Sequence, residues 1–568
     1  MNVRRAGRGL LAAAIVLMLA GCAGLPTSGP VNAGLPIGEE GEIADPTPIA
    51  QGPLPGADPV DIARGFLEAS VTPAGNWETA QEFLTEDFAA RWKPGSSVAI
   101  DESLSSRHYD ADSESLDDSA TSAVVSVQLE QVASVDAAGA YTESQGSSTR
   151  VFRLERPKDG EWRIAEAPDG IVLDADSLQQ VYRRYNLQYF DQSWTHLVPD
   201  VRWFPRRPSM ATTITRALIS GEPSEWLAPA VRTAFADEIA LAGDAVPVDA
   251  SQVAAVSLTR AALSASPVAL ARMRTQLEAS LAGLGISEVV FSVDGAPLET
   301  DTVSLAQPVI DPGLLVLNDE SFGVAVGQEL TPIPALTAQI AKIDEPISAI
   351  DVALDGSMAA VQMADHSVWA VRDGATDELD GRADLIAPSV DPFGFTWTVP
   401  RATPRALEAR GTDVERHLIE QAWPDATSIS QLRVSADGAR VAAVITAGGQ
   451  RGLVVAAVVR DENGVPVRLG DEIRPVTLLK DAAQGLAWIG SDTLAVLSNA
   501  SDPVLTTHVV GGPATFSTAP GGAKSLSGGK NSAAVRVLSS DGIVYAQRGS
   551  SWQQSVSGVL VLGTRAGY

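Results

Sequence analysis

SAIDVALDGSMAAV at residues 348–361 and SQLRVSADGARVAAV at residues 430–444 are one pattern written twice. In each, an apolar strand runs into an Asp-Gly turn and a second apolar strand leaves it, and the two copies stand 82 residues apart. Two units of ~41 residues fill that interval, and each has the length of a four-stranded propeller blade. SVDPFGFTW (389–397) occupies the place between them, GLAWIGSDTLAVL (485–497) and AVRVLSSDGIVYA (534–546) supply later copies, and residues 314–326 read as a degenerate sixth. Residues 302–568 therefore read as an all-β propeller of five to six blades, the near-40-residue repeat favouring it over a β-sandwich.

Residues 193–298 alternate strand and helix signals, the pattern of an α/β domain. A strand at 197–203 precedes a helix capped by Ser209 and running to Ile219, then a segment at 226–241, then short strands at 246–248 and 253–258. Ser266-Pro267 opens a longer helix whose Leu270, Met273, Leu277, Leu281 and Leu284 recur at helical spacing and read as core. Gly285 ends it, and a strand at 289–293 closes on Asp294-Gly295.

Residues 58–191 begin with Asp58-Pro59, an N-cap followed by proline, before Ile62, Phe66 and Leu67. Trp77, Ala80, Phe83, Leu84, Phe88 and Trp92 predict a second helix. The period then becomes two, with Val125, Val127 and Leu129 facing one way and strands at 151–154 and 162–164 flanking a Lys158-Asp159-Gly160 turn. This α+β order, closed by GEWRI at 160–164, resembles the cone-shaped NTF2-like domains, which often enclose a pocket. The aromatic residues themselves read as core.

The N-terminus carries an export signal. Arg4, Arg5 and Arg8 precede the apolar run LLAAAIVLMLA (10–20), too short to span a hydrocarbon core of ~30 Å comfortably. The residues after Arg4-Arg5 fit general secretion better than a twin-arginine signal. Leu19-Ala20-Gly21-Cys22 resembles a bacterial lipobox, so cleavage between Gly21 and Cys22 leaves Cys22 as the S-diacylglycerol- and N-acyl-bearing first residue of residues 22–568. Cys22 is the one cysteine, which excludes disulfides within the chain. Residues 23–57 hold seven Pro and seven Gly with no hydrophobic period and read as a tether with a reach of ~30 Å.

Composition narrows the function. The formal net charge is −29, which repels phosphate backbones and argues against a nucleic-acid partner. No nucleophile elbow, phosphate loop or zinc helix is present, and His108, His196, His366, His417 and His508 are scattered beyond metal-ligand spacing. Asp174-Ala175-Asp176 falls short of a calcium loop and reads as a solvated turn. Asp355, Asp437 and Asp541 recur at the repeat's turns, which is a structural signature before it is a catalytic one. The expectation is a non-enzyme without metal or cofactor.

The lipobox, Asn76-Trp77-Glu78, Phe83-Leu84-Thr85, Trp203-Phe204-Pro205 leading to Leu218-Ile219-Ser220-Gly221-Glu222-Pro223, and the late blades together resemble the actinobacterial LpqB lipoprotein family. Residues 195–298 resemble its GerMN domain, with Glu222 inserted into the usual Leu-x-x-Gly-Pro signature. The resemblance implies a palmitate-type lipid anchor on the outer face of the plasma membrane. It also implies binding to the extracytoplasmic part of an MtrB-like sensor kinase, changing MtrA phosphorylation and affecting envelope and division. Two other readings have structural signatures of their own. An envelope hydrolase requires buried acids at the propeller channel, and a ligand-sensing scaffold requires an enclosed apolar cavity lined by Trp77.

Overall fold

The computed structural model describes residues 50–112, 120–157, 160–306, 313–411, 415–549 and 551–567. The signal, Cys22 and most of the tether lie outside the described residues, as do Lys158 and Asp159.

The first domain starts where the cap requires. The Asp58 carboxylate accepts from the Asp61 N–H at 2.8 Å, and Pro59–Ala69 follows as a helix burying Ile62, Phe66 and Leu67. That face packs on a sheet ordered Arg163–Glu166, Tyr141–Glu155, Ser122–Asp136, Ser97–Asp101, Ile171–Asp174, in which two 15-residue strands form the long central pair. The predicted second helix is broken into Glu78–Gln81 and Glu86–Ala89. Trp77 takes a left-handed conformation (φ 61°), Leu84 bridges to Ile164, and the Thr85 hydroxyl caps a fresh start by accepting from Phe88 N–H. Asp174 is likewise a cap and not a solvated turn: it is buried and accepts from the Ser177 N–H at 3.0 Å and its hydroxyl at 2.6 Å.

The second domain's sheet begins earlier than the expected boundary after Asp191. Tyr182–Asp191 pairs antiparallel with Leu197–Pro205 from Tyr182 to Phe190, and its end, Phe190 and Asp191, pairs with Val231–Arg232. Residues 226–241 form no α-helix; a 3-10 turn, Ala228–Ala230, leads into that two-residue strand. The expected strand at 246–248 is reduced to one bridge, Val248 to Ala254. Ser209 precedes the helix Met210–Ser220 without a side-chain cap bond. The long helix forms as Pro267–Leu281, with the Ser266 hydroxyl accepting from Ala269 N–H. It connects the parallel strands Val253–Leu258 and Glu288–Val293, a βαβ unit.

Among the described residues six blades follow, five of four strands and blade 2 of five, its extra strand Thr564–Arg565 pairing parallel with Ile347–Val352. Blade 1 is built from Leu314–Asn318, Phe322–Val326 and Glu329–Pro332, and its fourth strand is Val559–Leu562 from the far end of the chain. Blades 2 to 6 start at Ile347–Val352, Ser389–Val390, Ala426–Val434, Ala483–Ile489 and Ala523–Ser527. These five strands and Val559–Leu562 touch in a closed ring around the axis. The predicted sixth copy is blade 1. The copy at 534–546 is displaced by one strand: it covers Arg536–Ser539 and Val544–Arg548, the second and third strands of blade 6. Apolar strand, Asp-Gly turn, apolar strand describes either hairpin of a blade, so the pattern alone does not fix which one it marks.

One hydrophobic cluster runs from the second domain into blades 4 and 5. It joins Ile214, Leu218, Leu227 and Phe235 to Ala442, Leu453, Val455, Trp488 and Leu494.

Candidate functional site

The innermost strands of the six blades enclose a channel of about 410 Å³. Its walls carry Ser348, Gln362, Gln431, Arg433, Gln484, Lys524 and Ser525 among aliphatic residues, and no Asp or Glu lines it. In a chain with 70 acidic residues that is a strong local reversal of charge. The acid cluster that a glycan-cleaving propeller would need is not there.

Asp351 follows the lining residue Ile350 and is buried in blade 2. Its oxygens accept from the Thr564 hydroxyl at 2.7 Å and the Val390 N–H at 2.6 Å. Burial outweighs these bonds and the charge of Arg433, and pushes the Asp351 carboxyl above the usual carboxylate range. Arg433 is 9% exposed; its Nη1 donates to the Pro388 carbonyl at 2.8 Å, and its Nε has no partner. Burial lowers its pKa, although a guanidinium stays protonated at any ordinary pH. Asp351 and Arg433 occupy the same position of the 82-residue offset, so opposite charges in the same register of an otherwise apolar strand were a readable signal.

The residues singled out in the sequence fall elsewhere. Asp355 holds its turn through the Ser357 N–H (3.0 Å) and hydroxyl (2.7 Å), and Asp541 accepts from the Ser539 hydroxyl. Asp437 accepts from the Ala439 N–H at 2.9 Å and pairs with buried Arg440. Asp437 also borders a smaller cleft of about 150 Å³ between blade 4 and the loop at Asp191, whose other walls include Arg232, Phe393 and Arg460. Arg460 is already committed there, stacked on Phe393 and paired with Asp391 at 2.7 Å. Trp77 is packed into the first domain's core: it is 1% exposed, and its indole N–H donates to the Ser70 carbonyl at 2.9 Å. A crevice beside Phe66 and Phe152 measures about 10 Å³, room for about one water.

The histidines stay apart. His196 meets the edge of Phe393, His417 that of Phe395, and His366 Nδ1 lies 3.1 Å from the Leu385 carbonyl. His508 is buried with neither ring nitrogen partnered, and burial holds its pKa down at about 4. Among the described residues no three His, Cys, Asp or Glu side chains are grouped to hold a metal.

Three family descriptions match along the chain: "Lipoprotein LpqB, N-terminal domain" at residues 52–179, "Sporulation and spore germination" at 186–299, and "Lipoprotein LpqB beta-propeller domain" at 320–561. The chain belongs to the LpqB lipoprotein family. Lipoprotein LpqB of Thermobifida fusca is 29% identical over 568 residues, covering 88% of this chain and 88% of the relative. Lipoprotein LpqB of Rhodococcus jostii is 27% identical, covering 89% and 87%. That of Cutibacterium acnes is 26% identical over the whole of both chains. Among solved structures, TolB from Acinetobacter baumannii is similar at 13% identity and a TM-score of 0.33, over 43% of this chain and 64% of that one. The LpqB N-terminal match stops at residue 179 and the germination match starts at 186, on either side of the point where Tyr182–Asp191 enters the second sheet.

Proposed function

We propose that this LpqB-family chain is anchored by lipid at Cys22 on the outer face of the plasma membrane. There it binds the extracytoplasmic domain of an MtrB-like sensor kinase and changes the phosphorylation of its response regulator MtrA, with effects on envelope and division. The observation that supports this most is the shared hydrophobic cluster: the second domain and blades 4 and 5 are packed around one apolar core, an arrangement that suits a binding module presenting a fixed surface. A lipid-tethered body also shares two dimensions with a membrane kinase, which raises effective concentration. The channel offers no acid cluster for the hydrolase reading.

The test is saturable binding of the full chain to the purified kinase domain, followed by response-regulator phosphorylation in vesicles holding both proteins. Binding that shifts the phosphorylation level supports the proposal; no binding at tens of micromolar overturns it. A Cys22→Ala variant is expected to leave the membrane fraction and lose its effect on the kinase in vesicles while keeping affinity in solution.

A further inference from the structure

Three features of the channel converge on one class of ligand. Its charged lining residues, Arg433 and Lys524, are both cationic, in a protein whose net charge is −29. Arg433 is nine-tenths buried with an unpartnered Nε, and the buried hydroxyl of Ser525 on the same lining also has no partner. A buried charged donor left unpaired is costly and is ordinarily matched by an acceptor. Asp351 attracts Arg433 electrostatically, but its hydrogen bonds come from the Thr564 hydroxyl and the Val390 N–H, and the Arg433 Nε stays unmatched. Lys524 adds a second positive charge from blade 6 and is exposed. Between the charges the Gln362 amide donates to the Leu385 carbonyl at 2.8 Å, the Gln484 amide to Asn499 Oδ1 at 2.8 Å and the Ser348 hydroxyl to the Gln362 carbonyl at 3.1 Å. That leaves Gln431, whose own contact to the Ala483 carbonyl is 3.5 Å long, and Ser525 as the groups that suit a ligand hydroxyl. The volume of about 410 Å³ lies within the ~300–1,000 Å³ of small-molecule sites.

We infer that the propeller channel binds a small polyol carrying one oxyanion, a sugar acid or a sugar phosphate, with Arg433 and Lys524 receiving the anionic group and Gln431 and Ser525 a hydroxyl. This stands independently of whether the chain binds a kinase.

The test is calorimetric titration of the full chain in detergent with glucuronate, glucose 6-phosphate and glucose, which share a body and differ in the head. At least one anion is expected to bind ten or more times more tightly than glucose, and the preferred anion tells carboxylate from phosphate. Lys524→Gln, at an exposed position, should weaken the anion about 3- to 10-fold, and Arg433→Gln should weaken it more. If Arg433→Gln fails to fold by circular dichroism, Lys524→Gln decides. Glucose binding as tightly as both anions, an anion affinity unchanged by Lys524→Gln, or no heat from any of the three up to about 10 mM overturns the inference.

Discussion

The second domain meets two neighbours in two different ways. Against the propeller it contributes to a single apolar cluster, with Leu227 and Phe235 on one side and Leu453, Trp488 and Leu494 on the other. Against the first domain it offers mainly one strand and its hydrogen bonds. Trp203 N–H donates to the Gly139 carbonyl at 2.8 Å, and Arg202 Nη1 to the Ala138 carbonyl at 3.2 Å. The Trp203 ring joins the first domain's core beside Tyr141, while its indole N–H donates to the Gly511 carbonyl of blade 5 at 2.8 Å. Gly139 permits this approach: its φ is +85°, and a Cβ there would stand 2.8 Å from the Trp203 carbonyl oxygen. A large merged core ties the unfolding of two domains together, whereas the smaller contact, in which Tyr182, Val201 and Trp203 join the first domain's core and Arg474 of blade 4 donates to the Tyr141 carbonyl, holds the first domain to the rest through fewer groups.

The largest effect expected from that contrast is at Trp488, which is fully buried and donates to the Arg433 carbonyl at 3.1 Å. Trp488→Ala should cost about 3–5 kcal/mol and lower amide protection in the second domain and the propeller together, while the first domain keeps its protection. Loss confined to the propeller would show that the merged core does not couple the two.

Acid acts next, through His508 in blade 5, whose neighbour Val509 packs against the first domain's core while Val510 belongs to the merged cluster. Its folded pKa of about 4 lies below the ordinary 6.5, so the unfolded chain binds the proton first. Its stabilising contribution, about 3 kcal/mol, is complete above pH 6.5 and is lost as the pH falls towards 4. Denaturant titrations across that window should flatten in His508→Leu; an unchanged slope would place the acid sensitivity elsewhere.

Trp203→Phe removes the indole bond to Gly511 and keeps most of the ring. A loss of about 1 kcal/mol is expected, read as faster proteolytic release of the first domain with the propeller intact. The smallest change belongs to Asp355→Ala, at an exposed turn of blade 2 distant from both seams, at about 0.5–1 kcal/mol with neither seam affected. If Asp355→Ala loosened a seam while Trp203→Phe did not, the contrast between the two contacts would fail.

How much of this was readable depended on the kind of signal. The propeller was legible because its blades repeat, and the βαβ helix because Ser266-Pro267 and Gly285 punctuate it. The broken helix after Trp77 was not, because Trp77 to Trp92 keep a helical spacing while Thr85 and the bridge at Leu84 interrupt the backbone. The domain boundary was missed for a long-range reason: Tyr182–Asp191 follows a helix of the first domain, and only its ladder with Leu197–Pro205 assigns it to the second. The channel's cations were visible as letters but not as neighbours. Arg433 and Lys524 are 91 residues apart, and ring closure alone brings blades 4 and 6 to one axis.

That closure also sets an order in time. Val316 and Leu317 of blade 1 find their partners at Leu562 and Val561, some 245 residues later. A chain made from its N-terminus can complete its first domain early, but five blades must wait with an open edge until the final stretch arrives. The strand Val559–Leu562 is therefore the latch of the molecule: until it is made, the ring has no axis, and any chain cut short before Val559 keeps blade 1 as a three-stranded edge exposed to other chains.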